Sequence, residues 1–151
     1  MIPVIKPHLV GDAQWIVLTL PITAATRGLV SRDILSRCRG AVLLNAGRGA
    51  VVQEAALPEA LDQGWLRGAA LDVFETEPPD ANDPILKLDN IIAAPHALCW
   101  TDQCFAGNGA ADVKAVLDVQ KGLVPRGVVN TSVLQQPNFK AKLAAFAARF
   151  G

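Results

Sequence analysis

No charge of one sign dominates this chain: fourteen lysines and arginines balance fourteen aspartates and glutamates over 151 residues. That balance points to neither a nucleic-acid partner nor an anionic membrane surface. No apolar run reaches the roughly 18 residues that a bilayer-spanning helix requires. The opening, Met1-Ile-Pro-Val-Ile-Lys-Pro-His8, lacks the basic, apolar and small-residue zones of a signal peptide. Cysteine is scarce and odd in number. Cys38, Cys99 and Cys104 have no framework spacing, and reduced thiols in a cytoplasmic protein are the simplest reading. Internal repeats and low-complexity segments are also missing. What is present is apolar material, 51% of the residues against 19% charged. This suffices for the core of one domain and excludes a disordered chain.

Short apolar runs alternate with helical stretches. Residues 15–20 have the length of a buried strand and stop at Pro21. Ser31 caps a short helix over 32–37. A second strand is expected over 41–46. Over 53–62, Ala56, Leu57, Ala60 and Leu61 fall at helical spacing, with Gly64 as the stop. Strands over 69–74 and 91–94 follow, then a long helix over 101–121 ending at Gly122. Strands apolar on both faces and separated by helices imply an α/β fold, with a parallel sheet covered on both sides. The last segment, 138–150, carries Phe139, Leu143, Phe146 and Phe150 as one helical stripe. It reads as an arm that packs beyond the main sheet. The division expected is residues 1–130 as the sheet domain and 131–151 as the arm.

In a parallel sheet the carboxyl ends share one edge, and ligands bind in the crevice there. Three strand ends carry chemistry: Gly47-Arg48-Gly49, then Asp72 running into Glu75-Thr-Glu77-Pro78, then Pro95-His96. Each has a bland alternative. Arg48 alone reads as a surface ion-pair residue, though flanking glycines allow a backbone to approach a ligand closely. Glu75 reads best as a solvated loop charge, and a lone His96 as a structural histidine. Their joint occurrence at three strand ends favours a site. A guanidinium fork holds a carboxylate bidentately. A histidine exchanges a proton near neutral pH, and a neighbouring carboxylate favours the imidazolium and orients the ring. Together they suit reduction of a 2-oxo acid by a hydride donor.

Four stretches occur in an order that resembles the D-isomer-specific 2-hydroxyacid dehydrogenases: Leu20-Pro-Ile-Thr-Ala-Ala-Thr-Arg-Gly-Leu29, Gly40-Ala-Val-Leu-Leu-Asn-Ala-Gly-Arg-Gly-Ala-Val-Val52, Gly68-Ala-Ala-Leu-Asp-Val-Phe-Glu-Thr-Glu-Pro78 and Asn90-Ile-Ile-Ala-Ala-Pro-His96. The resemblance covers residues 14 to 130. It implies the carboxyl-terminal part of a Rossmann-like, NAD- or NADP-binding domain, an oxidoreductase acting on small 2-hydroxy or 2-oxo acids, and a homodimer in the full-length parent. It makes Arg48 the substrate-carboxylate arginine, and Glu77 the partner of His96, the acid–base residue. Asp72 would hold the nicotinamide carboxamide. Pro21 and Thr26 would lie by the adenosine, and the backbone at Ala46, Gly47 and Arg48 would line the cofactor along with His96.

Two departures stand out. Where the family places small residues after its histidine, this chain has Ala97-Leu-Cys-Trp-Thr-Asp102, so Leu98 and Trp100 are expected to narrow the substrate side. His96, Cys99 and Cys104 imitate a metal-ligand set, but a fourth ligand is missing and no metal is expected. The family's G-x-G-x-x-G turn, the acidic residue about 20 positions beyond it and the substrate domain would all precede Met1, with 3–10 as the tail of that cofactor-binding half. The chain is therefore expected to be a fragment, inactive alone. The alternatives are a corepressor-like NAD-binding module and a non-functional remnant.

Overall fold

A computed structural model of the chain describes residues 7–151. The 3–10 stretch lies partly outside the described residues. Two units are resolved, one running to Leu98 and the other covering Cys99–Gly151. The division falls ahead of the 130/131 boundary expected from the sequence, because the long helix belongs with the arm.

In the first unit the four apolar runs form β1 (Trp15–Leu18), β2 (Ala41–Asn45), β3 (Leu66–Leu71) and β4 (Ile91–Ala93). They pair in the order β1-β2-β3-β4, every pair parallel. Parallel neighbours need a crossover between them, and each crossover is built from local signals. After β1, the Ser31 hydroxyl accepts from the Ile34 N–H at 3.4 Å and starts α2 (Arg32–Leu35). After β2, a 3₁₀ turn over Glu54–Ala56 leads into α3 (Leu57–Asp62), which has Pro58 in its first turn. The expected single helix over 53–62 is thus split in two. Gly64, at φ 69°, closes it. The short helix α1 (Pro7–Asp12) precedes β1.

The third strand departs most from expectation. It was read over 69–74 and lies over Leu66–Leu71. Exposed Arg67 and half-buried Gly68 interrupt the apolar run, yet both belong to the strand, with Ala41 paired to Leu66 and Val42 to Gly68 across an irregularity. Asp72 to Phe74 lie past its end. There the Phe74 N–H turns away from the sheet to the Glu77 carboxylate.

One face of the sheet is a core. Leu18, Leu43, Leu66, Ala69 and Leu71 are buried there with Leu35 of α2 and Leu57, Ala60 and Leu61 of α3. The other face corrects the expectation of a sheet covered on both sides. Trp15, Val17 and Ile92 point outward, Ile92 at 72% exposure, and register places Val42, Leu44 and Ala70 on the same side. Both crossover helices that contribute to the core pack on the first face, so among the described residues of this unit the second face is uncovered.

In the second unit, Thr101 caps α4 (Asp102–Gln120) by accepting from the Cys104 N–H at 3.2 Å. Gly122, at φ 72°, ends the turn that follows, and a Cβ there would stand 2.5 Å from Ala147 Cβ. The approach of α5 (Pro137–Phe150) therefore requires glycine at 122. Of the expected stripe only Leu143 is buried, while Phe146 and Phe150 stack on each other at the surface. Among the described residues no helix is long and apolar enough to cross a membrane.

An open apolar sheet face favours association. Replacing Val17 and Ile92 together by threonine keeps β-branching while removing apolar surface. The double variant should raise the monomer fraction in light scattering and change unfolding free energy by under about 0.5 kcal/mol. An unchanged monomer fraction would contradict this reading of the face.

Candidate active site at the carboxyl edge of the sheet

Because all four strands run the same way, the segments after β1, β2, β3 and β4 leave from one edge. After β1 the chain turns at Pro21. Buried Thr26 donates its hydroxyl to the Pro21 carbonyl at 2.7 Å and accepts from the Thr23 N–H at 2.7 Å. Its side chain is committed to the turn, while Pro21 stays exposed. Backbone bonds from the Gly28 N–H to Ala50 O and from the Gln53 N–H to Val30 O join this loop to the next.

The segment after β2 is gripped from below. Asn45, 2% exposed, donates from Nδ2 to the Arg48 carbonyl at 3.1 Å and accepts the Gly47 N–H on Oδ1 at 3.2 Å. Ala46 and Arg48 are exposed, and Gly47 and Gly49 are buried between them. The glycines were expected to let the backbone approach a ligand. Instead they admit the protein's own backbone: a Cβ on Gly47 would lie 2.6 Å from Leu20 O, and one on Gly49 would lie 1.9 Å from Phe74 C. The loop is wedged between the segments that leave β1 and β3. Arg48 donates to its neighbour's carbonyl, Gly47 O, at 2.6 Å. Among the described residues it pairs with no carboxylate, so its guanidinium keeps donors for an incoming anion.

After β3, Asp72 is buried and Glu77 is partly exposed. Glu77 Oε1 accepts from the Phe74 N–H at 3.0 Å, and Oε2 lies 2.7 Å from Nδ1 of His96. A carboxylate only accepts, so Nδ1 carries the hydrogen and Nε2 is left free. The His96 hydrogen bond, helped by the Phe74 N–H and the charge of Arg48, holds the Glu77 carboxyl below its ordinary value. Glu75 has a different task. It accepts from the Glu54 N–H at 3.1 Å while Glu54 accepts from the Glu75 N–H at 2.9 Å. Burial, and secondly the charge of Glu75, push the Glu54 carboxyl up, against the pull of the Glu75 N–H. Glu75 thus ties the loop after β3 to the 3₁₀ turn after β2.

Two cavities meet at Glu77. One, of about 510 Å³, is lined by Asp72, Phe74, Leu86, Ala94 and His96 among others, a size suited to a small ligand. The second, of about 230 Å³, is lined by Arg27, Arg48, Ala50 and Glu75. The structure therefore brings Arg48, Glu77, His96 and Asp72 to one edge. It separates Thr26, whose polar atoms face inward. Sequence reasoning missed Asn45, whose signal was a lone amide closing a buried apolar strand, and Arg27, which shares the cavity of Arg48. Among the described residues no three His, Cys, Asp or Glu side chains gather as a metal-ligand group.

A parallel sheet with its polar side chains gathered beyond the strand ends defines an α/β ligand-binding domain of the nucleotide-binding kind. The comparisons specify it further. Residues 5–97 match the family described as D-isomer specific 2-hydroxyacid dehydrogenase, NAD binding domain, and the chain belongs to that family. It is 39% identical over 129 residues to glyoxylate/hydroxypyruvate reductase B of Serratia proteamaculans, covering 85% of this chain and 40% of that protein. A D-isomer specific 2-hydroxyacid dehydrogenase family protein from Klebsiella pneumoniae 342 superposes with a TM-score of 0.72 at 32% identity, over 83% of this chain and 40% of that one. A family member from Xanthobacter autotrophicus Py2, solved with NADPH and MES, matches at 42% identity and a TM-score of 0.57, over 60% of this chain and 29% of that one. The chain thus spans about 40% of the length of the Serratia reductase.

The depressed Glu77 carboxyl fixes a sign. Its interaction with His96 stabilises the fold above the ordinary carboxyl value of 4.5 and is lost as pH falls through the lowered value. Carboxyl-carbon NMR should show Glu77 titrating below 4.5 in the wild type, and moving upward in His96→Asn. A Glu77 midpoint that ignores His96→Asn would contradict the pairing.

Proposed function

We propose that this chain supplies the anion-binding and acid–base groups of an NAD- or NADP-dependent D-2-hydroxyacid dehydrogenase acting on a small 2-oxo acid. The observation that carries the reading is the arrangement around Glu77: a hydrogen-bonded His96 on one side, and on the other an Arg48 that shares its cavity and has no carboxylate partner among the described residues. In this reading Arg48 takes the substrate carboxylate through its guanidinium fork. His96 faces the substrate oxygen through Nε2. It delivers a proton there during reduction, and Glu77 holds the ring by Nδ1 and stabilises the imidazolium. The residues also suit a nicotinamide. Asp72 lines the larger cavity, and each of its oxygens, bonded to one backbone N–H, has acceptor capacity left, so a carboxamide can be held there. The exposed backbone at Pro21, Ala46 and Arg48 would flank the rest of the dinucleotide. When bound, NAD(P)H supplies the hydride. The reading carries with it a cytoplasmic setting, supported by three free thiols, and a homodimer, the assembly the family resemblance implies.

These 151 residues contain no G-x-G-x-x-G turn, and a pyrophosphate is ordinarily held at such a turn. Each charge-assisted hydrogen bond missing there is worth about 1.5–3 kcal/mol, so two of them weaken binding by roughly a hundredfold or more. The chain alone should therefore show no micromolar NADH binding and no ordinary turnover with glyoxylate or hydroxypyruvate. Fluorescence titration giving both would overturn the assignment of cofactor anchoring to groups outside this chain.

Chemistry is tested by grafting the chain in place of the matching 129-residue stretch of the Serratia reductase. In the graft, His96→Asn should lower kcat by about 100-fold or more, the scale of lost general acid–base catalysis. Arg48→Ala should raise KM and lower kcat together, since the clamp serves both ground and transition states. An active graft that keeps near-normal kinetics in both variants would sink the assignment.

A further inference from the structure

His96 is the only non-glycine residue with positive φ among the described residues, at 55°. A histidine in the left-handed region is strained, and such strain persists only where the surroundings over-determine it. The surroundings here are one buried carboxylate. Asp72, 6% exposed, accepts the Ala97 N–H on Oδ1 at 2.9 Å and the Leu98 N–H on Oδ2 at 3.3 Å. Two successive N–H groups beside a left-handed residue form a concave cradle for an anion, and the Asp72 side chain is the anion that fills it. Asp72 is itself fixed, since its N–H donates to Asn45 O at 3.0 Å and the Ala94 N–H donates to Leu71 O at 2.8 Å. The segment carrying His96 is thus held before the histidine by the sheet and after it by the carboxylate.

We infer that Asp72 is a positioning residue for His96: its carboxylate locks the Ala97–Leu98 backbone, holds His96 left-handed, and so aims Nδ1 at Glu77 and Nε2 into the larger cavity. This inference rests on the reading of His96 as the acid–base residue, and it gives Asp72 a task that is complete before any ligand arrives. Without Asp72, two N–H groups lose their acceptors, and the backbone at His96 is free to relax to negative φ. The imidazole then swings off Glu77. Asp72→Asn keeps the shape but turns an amide NH2 toward one of the two N–H groups, so it removes one bond of the pair and should act partway.

The test is NMR on the full 151-residue chain, which has only two histidines to assign. In the wild type, the Ala97 and Leu98 amides should be protected from hydrogen exchange, and the Nδ1 proton of His96 should be visible in its bond to Glu77. In Asp72→Ala both amides should exchange at least about tenfold faster. The Nδ1 proton should vanish, and the amides of Leu43 and Leu44 should keep their protection, with Asp72→Asn between the two. A purely structural Asp72 would lower the melting temperature yet leave the Nδ1 proton and the Glu77 titration in place, and that result overturns the inference. If Asp72→Ala does not fold, the wild-type exchange decides. Unprotected amides at Ala97 and Leu98 refute the clamp, and protected amides together with slower exchange there than in Asp72→Asn support it. No readout here needs substrate. The clamp can therefore stand while the grafted His96→Asn retains activity, which would sink the functional reading alone. The reverse outcome would sink the clamp alone.

Discussion

Polar side chains buried where strands end hold the candidate site in place. Thr26, Asn45 and Asp72 are the buried polar residues among those described, and each lies on the carboxyl side of a strand. Each turns its polar atoms onto loop backbone: Thr26 onto the Pro21 carbonyl, Asn45 onto the Gly47–Arg48 segment, Asp72 onto Ala97 and Leu98. A buried polar group without a partner is costly, so each of these contacts stabilises one loop conformation over its alternatives. Apolar packing locates the strands. The polar trio, with glycines that admit backbone to within van der Waals range, determines where the exposed side chains point.

That arrangement gives the site an economy of parts. Glu77 serves both neighbours, accepting from His96 and carrying charge near Arg48. Its other oxygen is tied to Phe74, whose own backbone packs against Gly49. Displacing any one loop would therefore disturb the others. Glu75 and Glu54 add a second tie between the same loops, at the cost of a half-buried carboxyl whose charged form is disfavoured.

Much of this was legible in the sequence. Apolar runs of strand length, Ser31 as a cap, and Gly64 and Gly122 as stops located the elements to within a few residues, while Thr101, read as the first residue of its helix, turned out to be its cap. The rule that parallel strands share a carboxyl edge brought Arg48, Asp72, Glu77 and His96 together without any coordinates. Other features were hidden for identifiable reasons. Strand β3 begins earlier than its apolar run because pairing with Ala41, and no side-chain pattern, recruits Leu66 and Arg67. Gly47 and Gly49 looked like room for a ligand, since sequence does not say which backbone comes close. The open sheet face escaped notice because a run such as Trp15 to Leu18 is apolar on both sides whether or not both sides are covered.

In the proposed function the carboxyl edge is an anion site in which Arg48 and His96 act on one ligand. Oxamate, a small stable mimic of a 2-oxo acid, tests it on the chain as it stands. Titrated into the isotope-labelled protein and followed by NMR, oxamate should shift the Arg48 guanidinium and the His96 ring together, along one saturation curve. The Arg32 guanidinium, already paired with Glu59, should not move. Arg48→Ala should abolish the His96 response. Separate curves for Arg48 and His96, or a His96 response that survives Arg48→Ala, would contradict a shared site.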